Sequence, residues 1–585
     1  MPAAAGPRAP GYTEMAIYNI ESSKKHMQSL VGHNRDLTGG DYDAALAVKC
    51  SNGTFVGTQT DGVRSYKGIP YALPPVGRRR WKAPEPAPDG DGVYEARFFG
   101  RSCIQTEEAS ERASLYIQGE DCLTLNIWTA SEKPDAAPAR PVMVFIHGGA
   151  YGWGGTSDPL YDGHNLVHRR KDVVLVTINY RTGLFGFIDF SQVQGGEDYR
   201  ESGNLGLLDQ ICALQWIRRN IRGFGGDPGN VTIFGESAGA SSVSLLPLID
   251  AAQGLFKRVI AESGSVALTY SREEAQTLTE KLLQAAGASS VAELAALDED
   301  RLRAINEDLN DHNIFPVRDG IVLPADLYAA YEEGGGTGID MLIGTNADET
   351  RYWIGETGGW LIYRSLIPVL ARGIVHAMNK EDRARAKAFG ALQKGDAVHR
   401  ATEFVNELVF RVPSIVQAAY HARNGGNTYM YYWTKKSSIP HFKACHAVEL
   451  AYVFGNLDET IFTGERADKG LSDAVQDMWV SFAATGEPGT KEYPWEKYVP
   501  GSRMTMMLGD EIHMVSDPMK ENRILIEPLL SYRYNGNHDQ VGTIRRYLRH
   551  VARRAAWHLV LRGAAAGAAA GGIYGLYRLR HRQNQ

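Results

Sequence analysis

The stretch Asn230-Val-Thr-Ile-Phe-Gly-Glu-Ser-Ala-Gly239 decides the fold of this chain. It places a G-x-S-x-G motif, Gly235 to Gly239, directly after a short apolar run and at the start of a small-residue stretch, 238–245, that suits a helix. A strand that runs straight into a helix needs a sharp turn, and the two glycines leave room for it. This placement predicts that the hydroxyl of Ser237 lies exposed at the carboxyl edge of a sheet.

Further apolar runs bounded by Gly and Asn predict the rest of that sheet. They occupy 141–146, 172–178, 259–261, 341–343 and 428–433. Continuous apolar runs of this length are typical of strands buried on both faces of a mostly parallel sheet. Helical spacing of apolar residues separates them, for example over 207–221. The alternation predicts an α/β fold, in which a large, mostly parallel central sheet is flanked by helices.

Composition and length indicate one large globular unit. Of 585 residues, 43% are hydrophobic and 22% are charged, which is ordinary globular usage. The five cysteines form no zinc-binding signature. We find no internal repeat and no break in composition over the central part of the chain. The sequence therefore predicts an N-terminal arm (1–44), a single catalytic domain (45–530) and a basic, Ala/Gly-rich C-terminal tail (531–585).

Charge is distributed unevenly between body and tail. The chain has a formal charge of −6, but residues 541–585 hold nine arginines and no acidic residue, so the first 540 residues carry −15. An acidic body repels the phosphate backbone, which argues against a nucleic-acid partner.

Residues 545–582 have three interpretations. The segment 563–577 is free of charge and places glycine at every fourth residue, a spacing that suits close helix packing in a bilayer. Membrane attachment, a solvated basic extension and binding to a polyanionic partner all stay open. The first forty residues contain no apolar run of signal-peptide length, so we expect a cytoplasmic protein, membrane-associated if the tail attaches.

A nucleophilic serine needs a base and hydrogen-bond donors for the oxyanion. The glycine-rich stretch His147-Gly-Gly-Ala150 follows a predicted strand. We expect the backbone N–H groups of Gly149 and Ala150, together with that of Ala238, to point at the carbonyl oxygen of a substrate. The base stays open at this point, because sixteen histidines offer too many candidates.

Several blocks in a fixed order resemble the type-B carboxylesterase/lipase family, which contains cholinesterases, lipases and the non-enzymatic neuroligins. The matching blocks are 120–128 (EDCLTLNIW), 147–150 (HGGA), 179–186 (NYRTGLFG), 204–210 (NLGLLDQ) and 224–239 (FGGDPGNVTIFGESAG). The resemblance implies an α/β-hydrolase fold and a Ser–Glu–His triad in that chain order.

The family's motifs assign the other two members of the triad. Gly344-Thr-Asn-Ala-Asp-Glu349 matches the block that carries the acid, which selects Glu349 over Asp348. His446, followed by Ala-Val-Glu and Val-Phe-Gly, matches the block that carries the base, which selects it over His441. The resemblance implies catalysis that needs neither a metal nor an organic cofactor.

The resemblance also bears on cysteines and on the substrate. Cys103 and Cys122 match the family's first disulfide, although a reducing compartment would disfavour that bond; we expect the two to be close in space and leave their oxidation open. Cholinesterases place a tryptophan in this loop, but residues 104–121 contain none, which disfavours choline esters. Trp153, Trp353 and Trp360 are candidates either for lining an acyl or alcohol pocket or for packing in the core.

The leading hypothesis is therefore a serine carboxylic-ester hydrolase that acts on a small-molecule ester. A neuroligin-like binding or adhesion protein on the same fold is the alternative, which the intact Ser237, Glu349 and His446 disfavour. An amidase or a lipase also stays open. The sequence leaves the natural ester and the oligomeric state undetermined.

Overall fold

The computed structural model describes residues 24–105, 113–130, 139–309, 314–355, 360–534, 543 and 545–554. Within them, an eleven-stranded mixed sheet forms the centre of the molecule, and a three-stranded sheet lies beside it. Helices cover the large sheet, as the alternation of apolar runs predicts. The α/β fold class and the organisation of the central part of the chain as one domain agree with the prediction.

The strands are β1 Ala47–Cys50, β2 Gly53–Val56, β3 Thr58–Thr60, β4 Val63–Pro70, β5 Val93–Glu95, β6 Thr124–Thr129, β7 Arg140–Ile146, β8 Val174–Ile178, β9 Gly226–Glu236, β10 Arg258–Glu262, β11 Asp340–Asn346, β12 Thr428–Trp433, β13 Met504–Leu508 and β14 His513–Ser516. The order in the large sheet is β14-β13-β12-β11-β10-β9-β7-β8-β6-β4-β3. From β8 to β13 neighbouring strands are parallel, and the strands at both margins pair antiparallel.

The α-helices are α1 His164–Arg169, α2 Gly183–Gly186, α3 Leu205–Asn220, α4 Ala238–Leu245, α5 Arg272–Ala286, α6 Val291–Ala295, α7 Glu299–Asp308, α8 Leu327–Glu332, α9 Arg351–Gly355, α10 Trp360–Ala377, α11 Lys380–Leu392, α12 Ala397–Asn406, α13 Val412–Arg423, α14 Leu450–Phe454, α15 Lys469–Thr485, α16 Lys520–Ile526 and α17 Ser531–Tyr534. A π-helical turn, Glu407–Arg411, joins α12 to α13.

The central strands are apolar on both faces because each face packs on a layer of helices. In β7, Val142, Val144 and Ile146 enter one buried cluster, whereas Met143 and Phe145 enter the other. Alternate residues of a strand point to opposite faces, so a continuous apolar run is required when both faces are covered.

The register of the parallel strands brings their carboxyl ends to one edge. Ile146 of β7 pairs with Gly235 of β9, which pairs with Ala261 of β10, which in turn pairs with Ile343 of β11. Residues that follow these strands therefore emerge side by side. This edge is where an open α/β sheet places its ligand site.

The residues that flank the body also contact it. Met27 is buried, and the side-chain amide of Asn34 donates to the carbonyls of Lys67 and Phe98. Beyond position 530, Tyr534 is buried and its ring lies 5.0 Å from that of Tyr328. Packing thus extends on both sides of 45–530, and the proposed domain boundaries stay a prediction.

Helical residues 545–554 lie against α10. The His550 ring is 4.0 Å from that of His376, and the Tyr547 ring is 6.2 Å from it. In the described parts of the chain, no helix is both long enough and apolar enough to cross a bilayer. The charge-free segment 563–577 lies outside the described residues.

A buried ion pair fastens α3 to the end of β8. The guanidinium of Arg181 donates to both carboxylate oxygens of Asp209 at 2.7 and 2.8 Å, and both side chains are at most 2% exposed. Removing one partner of such a pair leaves an uncompensated buried charge, which is strongly destabilising.

We expect Asp209→Ala to lower the free energy of unfolding by about 3–5 kcal/mol, measured by urea denaturation followed by tryptophan fluorescence. Asp473→Ala is the matched control, because Asp473 pairs with Arg169 near the surface. Its loss should stay below about 1 kcal/mol. Equal losses in the two variants would contradict the importance of the buried pair.

Candidate functional site

Ser237 occupies a strained turn between β9 and α4. Its φ is +58° and its ψ is −119°, a conformation that non-glycine residues rarely adopt. Its backbone N–H donates to the carbonyl of Glu262 at 2.8 Å, which holds the turn against β10. The helix begins at Ala238, as the sequence predicts. Strain of this kind persists where the surrounding structure enforces it, and it clusters at functional sites.

Two glycines make the turn sterically feasible. A β carbon on Gly239 would lie 1.9 Å from the carbonyl oxygen of Ile146, and one on Gly235 would lie 2.5 Å from the same oxygen. Any larger side chain at either position would push β9 and α4 away from β7. The glycines of the motif are therefore required by close backbone approach.

His446 and Glu349 meet beside this turn. Nδ1 of His446 lies 2.6 Å from Oε2 of Glu349, and both side chains are buried. Oε1 of the same carboxylate accepts the backbone N–H of Asn346 at 2.7 Å, which fixes its orientation. The structure thus brings together the acid and the histidine that the sequence motifs select.

Asp348 and His441, the two residues that the family motifs pass over as acid and base, lie elsewhere. Asp348 binds the ammonium of Lys443 at 3.1 Å, and His441 lines a separate cavity on the same side as Lys443. Neither of them contacts the ring of His446 in the described structure. The choice between adjacent acids follows from the direction in which each side chain leaves the loop after β11.

The second ring nitrogen of His446 faces the Ser237 turn. Nε2 is buried and lies 3.0 Å from Oε1 of Glu236, the residue before Ser237. It makes no hydrogen bond with any residue that the structure describes. The imidazole therefore stands between two carboxylates, with one nitrogen available to accept a proton.

The glycine-rich loop after β7 lies against the same turn. A β carbon on Gly148 would be 3.1 Å from Cβ of Ser237 and 2.8 Å from the carbonyl oxygen of Glu236. Gly149 and Ala150 have φ of +103° and +51°, so the loop turns sharply here. Among the described backbone contacts, the N–H groups of Gly149, Ala150 and Ala238 donate to no carbonyl. These are the three N–H groups that the sequence predicts as oxyanion donors.

His147, the first residue of this loop, is fixed by its contacts. It is buried, its ring stacks on Tyr180 at 4.4 Å, and its Nδ1 lies 2.9 Å from the carbonyl of Gly148. Burial lowers the pKa of His147 to about 4, so the ring is neutral at pH 7.

A carboxylesterase family model matches residues 44–526. The para-nitrobenzyl esterase of Bacillus subtilis is 38% identical over 507 residues, which are 82% of this chain and 98% of that protein. The chain belongs to the carboxylesterase family. A fumonisin B1 esterase from Sphingopyxis macrogoltabida is 32% identical over 78% of this chain and 85% of its own length.

Solved structures agree with the family assignment. A carboxylesterase from Geobacillus stearothermophilus superposes with a TM-score of 0.72 and 33% identity, covering 82% of this chain and 99% of that structure. The α/β-hydrolase fold is therefore established, and so is the activity of this chain as a carboxylesterase that hydrolyses carboxylic esters.

An aromatic wall flanks the histidine of this carboxylesterase. The rings of Trp353 and Phe410 lie 5.1 and 5.0 Å from that of His446, and they stack on each other at 5.9 Å. Trp353 is 38% exposed, so the wall borders open space. The sequence indicates Trp353 but gives no signal for Phe410, which the π-helical turn 407–411 delivers from far along the chain.

The other two candidate tryptophans differ from Trp353. Trp153 packs on the buried cluster of Met27, Leu115 and Tyr116 behind the loop after β7, so it supports the structure. The side chain of Trp360 lies outside the described residues.

Two further buried carboxyl groups lie beneath the site. Burial raises the pKa of Glu262 to about 8, although Trp479 donates a hydrogen bond to it at 2.5 Å. Burial and the nearby charges of Glu236, Glu262 and Glu349 raise the pKa of Glu449 well above its ordinary value. Glu262 is therefore mostly protonated at pH 7, and burial disfavours the charged form of Glu449 as well.

Cys103 and Cys122 lie together and are free thiols in this structure. Burial is the largest influence on the Cys103 thiol and would raise its pKa, but the hydrogen bonds with Cys122 and Thr182 and the charge of Arg181 together lower it. The hydrogen bond to Cys103 and burial raise the pKa of Cys122. Their predicted proximity is confirmed, and the disulfide stays a prediction.

Among the described residues, no group of three His, Cys, Asp or Glu side chains could hold a metal ion.

Proposed function

We propose that this carboxylesterase works through an acyl-enzyme on Ser237, with His446 as general base and acid and Glu349 as the group that orients it. The contact that carries the proposal is the 2.6 Å hydrogen bond between Nδ1 of His446 and Glu349. It fixes the tautomer in which Nε2 bears the lone pair, so that nitrogen can take a proton from a hydroxyl on its own side.

In the first half-reaction, Nε2 of His446 takes the proton of Ser237 as Oγ forms a bond to the ester carbonyl carbon. The carbonyl oxygen becomes an oxyanion, which the N–H groups of Gly149, Ala150 and Ala238 stabilise. When the carbonyl re-forms, the bond to the alcohol oxygen breaks, and His446 gives its proton to the departing alcohol.

The second half-reaction repeats these steps with water. His446 takes a proton from water as the water oxygen bonds to the acyl carbon, and the same donors stabilise the second oxyanion. The bond to Oγ then breaks, His446 returns the proton to Ser237, and the carboxylic acid leaves. Glu349 stays ionised throughout and stabilises the imidazolium. This cycle consumes only ester and water.

We expect Ser237→Ala to lower kcat on p-nitrophenyl acetate by a factor on the order of 10⁶, because the variant lacks the hydroxyl that forms the proposed acyl-enzyme. Ser472→Ala is the matched control, since Ser472 is a buried serine that donates to the carbonyl of Tyr452 far from the turn. It should retain activity.

A fluorophosphonate probe separates a serine enzyme from a binding protein on the same fold. The wild type and Ser472→Ala should be labelled on Ser237, and Ser237→Ala should not. Ester hydrolysis that persists in Ser237→Ala at the wild-type rate would refute this nucleophile. Comparing esters with the matching amides and long-chain glycerides on the wild type tests the amidase and lipase alternatives.

We propose further that the preferred esters carry an aromatic or bulky apolar group. The stacked rings of Trp353 and Phe410 offer a flat apolar surface within contact of His446, where such a group gains burial and ring stacking. The Bacillus relative is named for a para-nitrobenzyl ester, which fits this substrate class.

We expect Trp353→Ala to lower kcat/KM for a benzyl ester about tenfold relative to the ethyl ester of the same acid, since one lost stacking partner costs roughly 1.4 kcal/mol. Phe98→Ala is the control, because Phe98 is a half-buried aromatic residue whose ring lies against Gly32 and not against His446 among the ring contacts of the described residues. An unchanged ratio of benzyl to ethyl ester in Trp353→Ala would contradict the proposal.

Membrane association through residues 545–582 is our proposal for the basic segment. In its described part, helix 545–554, five arginines occur without an acidic residue, and Leu548 and Val551 are 51% and 43% exposed. Basic helices with exposed apolar residues bind anionic bilayers at the interface. Residues 555–582 lie outside the described structure, and the cytoplasmic location stays a prediction.

We expect the full chain to sediment with vesicles rich in phosphatidylglycerol and not with phosphatidylcholine vesicles. Reversing Arg545, Arg549 and Arg553 to Glu should weaken this binding at least about 100-fold, at roughly 1 kcal/mol for each arginine. The control is a triple variant in which three exposed arginines outside this helix are changed to Glu: Arg219, Arg222 and Arg423. Equal binding of both triple variants would refute the role of this helix.

A further inference from the structure

A charged cavity lies beside the two loops that carry Glu349 and His446. It has a volume of about 360 Å³, and its charged and polar lining consists of Arg351, Arg364, Asp396, His399, His441 and Lys443. The walls come from the start of α9, from α10, from the beginning of α12 and from the segment before His446. The proposed ester chemistry uses none of these six side chains.

Arg351 is the unusual member of this lining. The buried guanidinium groups of Arg80, Arg181 and Arg411 each contact a carboxylate, at 2.5, 2.7 and 2.8 Å. Within the described part of the chain, no carboxylate lies within ion-pair distance of Arg351, and its buried Nε has no hydrogen-bond partner. A buried donor without a partner is costly, so a cation of this kind beside a cavity favours an anionic ligand.

Among the described residues, the other two cations of the cavity have carboxylate partners. Lys443 is bound to Asp348 at 3.1 Å, and Arg364 to Asp396 at 3.3 Å. Burial and the neighbouring cations lower the pKa of His399, and burial and Arg351 lower that of His441. Burial raises the pKa of the adjacent Glu403 to about 8. The described surroundings therefore contain three basic side chains and two carboxylates that pair with Lys443 and Arg364.

We infer that this cavity binds a small molecule through one phosphate or carboxylate group, held by the guanidinium of Arg351 with help from Lys443. A planar guanidinium matches two oxygens of such a group at once, which makes arginine well suited to it. The volume admits a small organic acid or a phosphate ester rather than a macromolecule. The imidazoles of His399 and His441 supply neutral hydrogen-bonding groups for the rest of the ligand.

The ligand would also influence the ester site, and this second part rests on the proposed function. Asp348 joins the two loops: its backbone N–H donates to Ala444 at 2.9 Å and its carboxylate binds Lys443. His446 itself donates its backbone N–H to Glu349 at 3.3 Å. An anion that draws Lys443 away from Asp348 would change the loop that carries His446. Arg351 also begins α9, the helix that carries Trp353.

Isothermal titration calorimetry with inorganic phosphate, and separately with succinate, tests the site at constant ionic strength. Binding is measured on wild type and on Ser237→Ala, so that the result does not depend on esterase activity. We expect Arg351→Met to weaken binding of the preferred probe at least tenfold and Lys443→Met to weaken it less. Arg385→Met is the control, since Arg385 pairs with Glu381 on the surface of α11.

The thermal midpoint of each variant shows whether it is folded. The site is refuted if neither probe binds to the wild type. It is also refuted if Arg351→Met and Lys443→Met are both folded and bind the probe as tightly as the wild type. Phosphate binding without succinate binding identifies phosphate as the ligand group, and the reverse result identifies carboxylate. A twofold or larger change in kcat/KM on adding the probe, lost in Arg351→Met, supports the coupling. Binding without that change refutes the coupling and leaves the site standing.

Discussion

The close contact between the Ser237 turn and the carboxyl end of β7 is the constraint on which the rest of the site depends. The carbonyl oxygen of Ile146 occupies the space that β carbons on Gly235 and Gly239 would need. Because those atoms are absent, β9 can turn into α4 directly against β7, and the loop that follows β7 can reach the serine. The proposed nucleophile and the proposed oxyanion donors are thereby brought together by the pairing of two neighbouring parallel strands.

Electrostatics impose a second constraint. Glu236, Glu262, Glu349 and Glu449 all lie in the buried region around His446, and four ionised carboxylates could not be accommodated there together. Burial raises the pKa values of Glu262 and Glu449, which disfavours the charged form of both groups. The negative charge that these two carboxyl groups would add beside the imidazole is thereby reduced. This arrangement explains how a buried acidic region can stabilise an imidazolium without being unstable itself.

The two loops after β11 and β12 link this chemistry to their surroundings. On one side they present Glu349 and His446 to the serine, and on the other they form a wall of the cavity that contains Arg351. Asp348 and Glu349, adjacent in sequence, face these two sides. The hydrogen bond between Lys443 and Asp348 therefore connects the cavity to the loop that carries His446, the proposed base.

The sequence by itself determined the elements of the fold and the turn at Ser237. Apolar runs, glycine spacing and the position of the G-x-S-x-G motif are local properties, and they are sufficient to predict the strand and the helix that enclose it. Motifs of the family then selected Glu349 over Asp348 and His446 over His441, a choice that the residue types alone could not make.

Only the tertiary structure decided what surrounds His446. Phe410 and Glu236 contact its ring although the first is 36 positions away and the second 210; no local pattern marks Phe410, and the motif that contains Glu236 does not predict this contact. The same holds for Arg351, whose lack of an ion-pair partner among the described residues is a property of the tertiary structure and not of the sequence. Contacts of this kind arise from the convergence of strand ends and loops, which depends on the whole sheet and is not encoded in any single stretch of the chain.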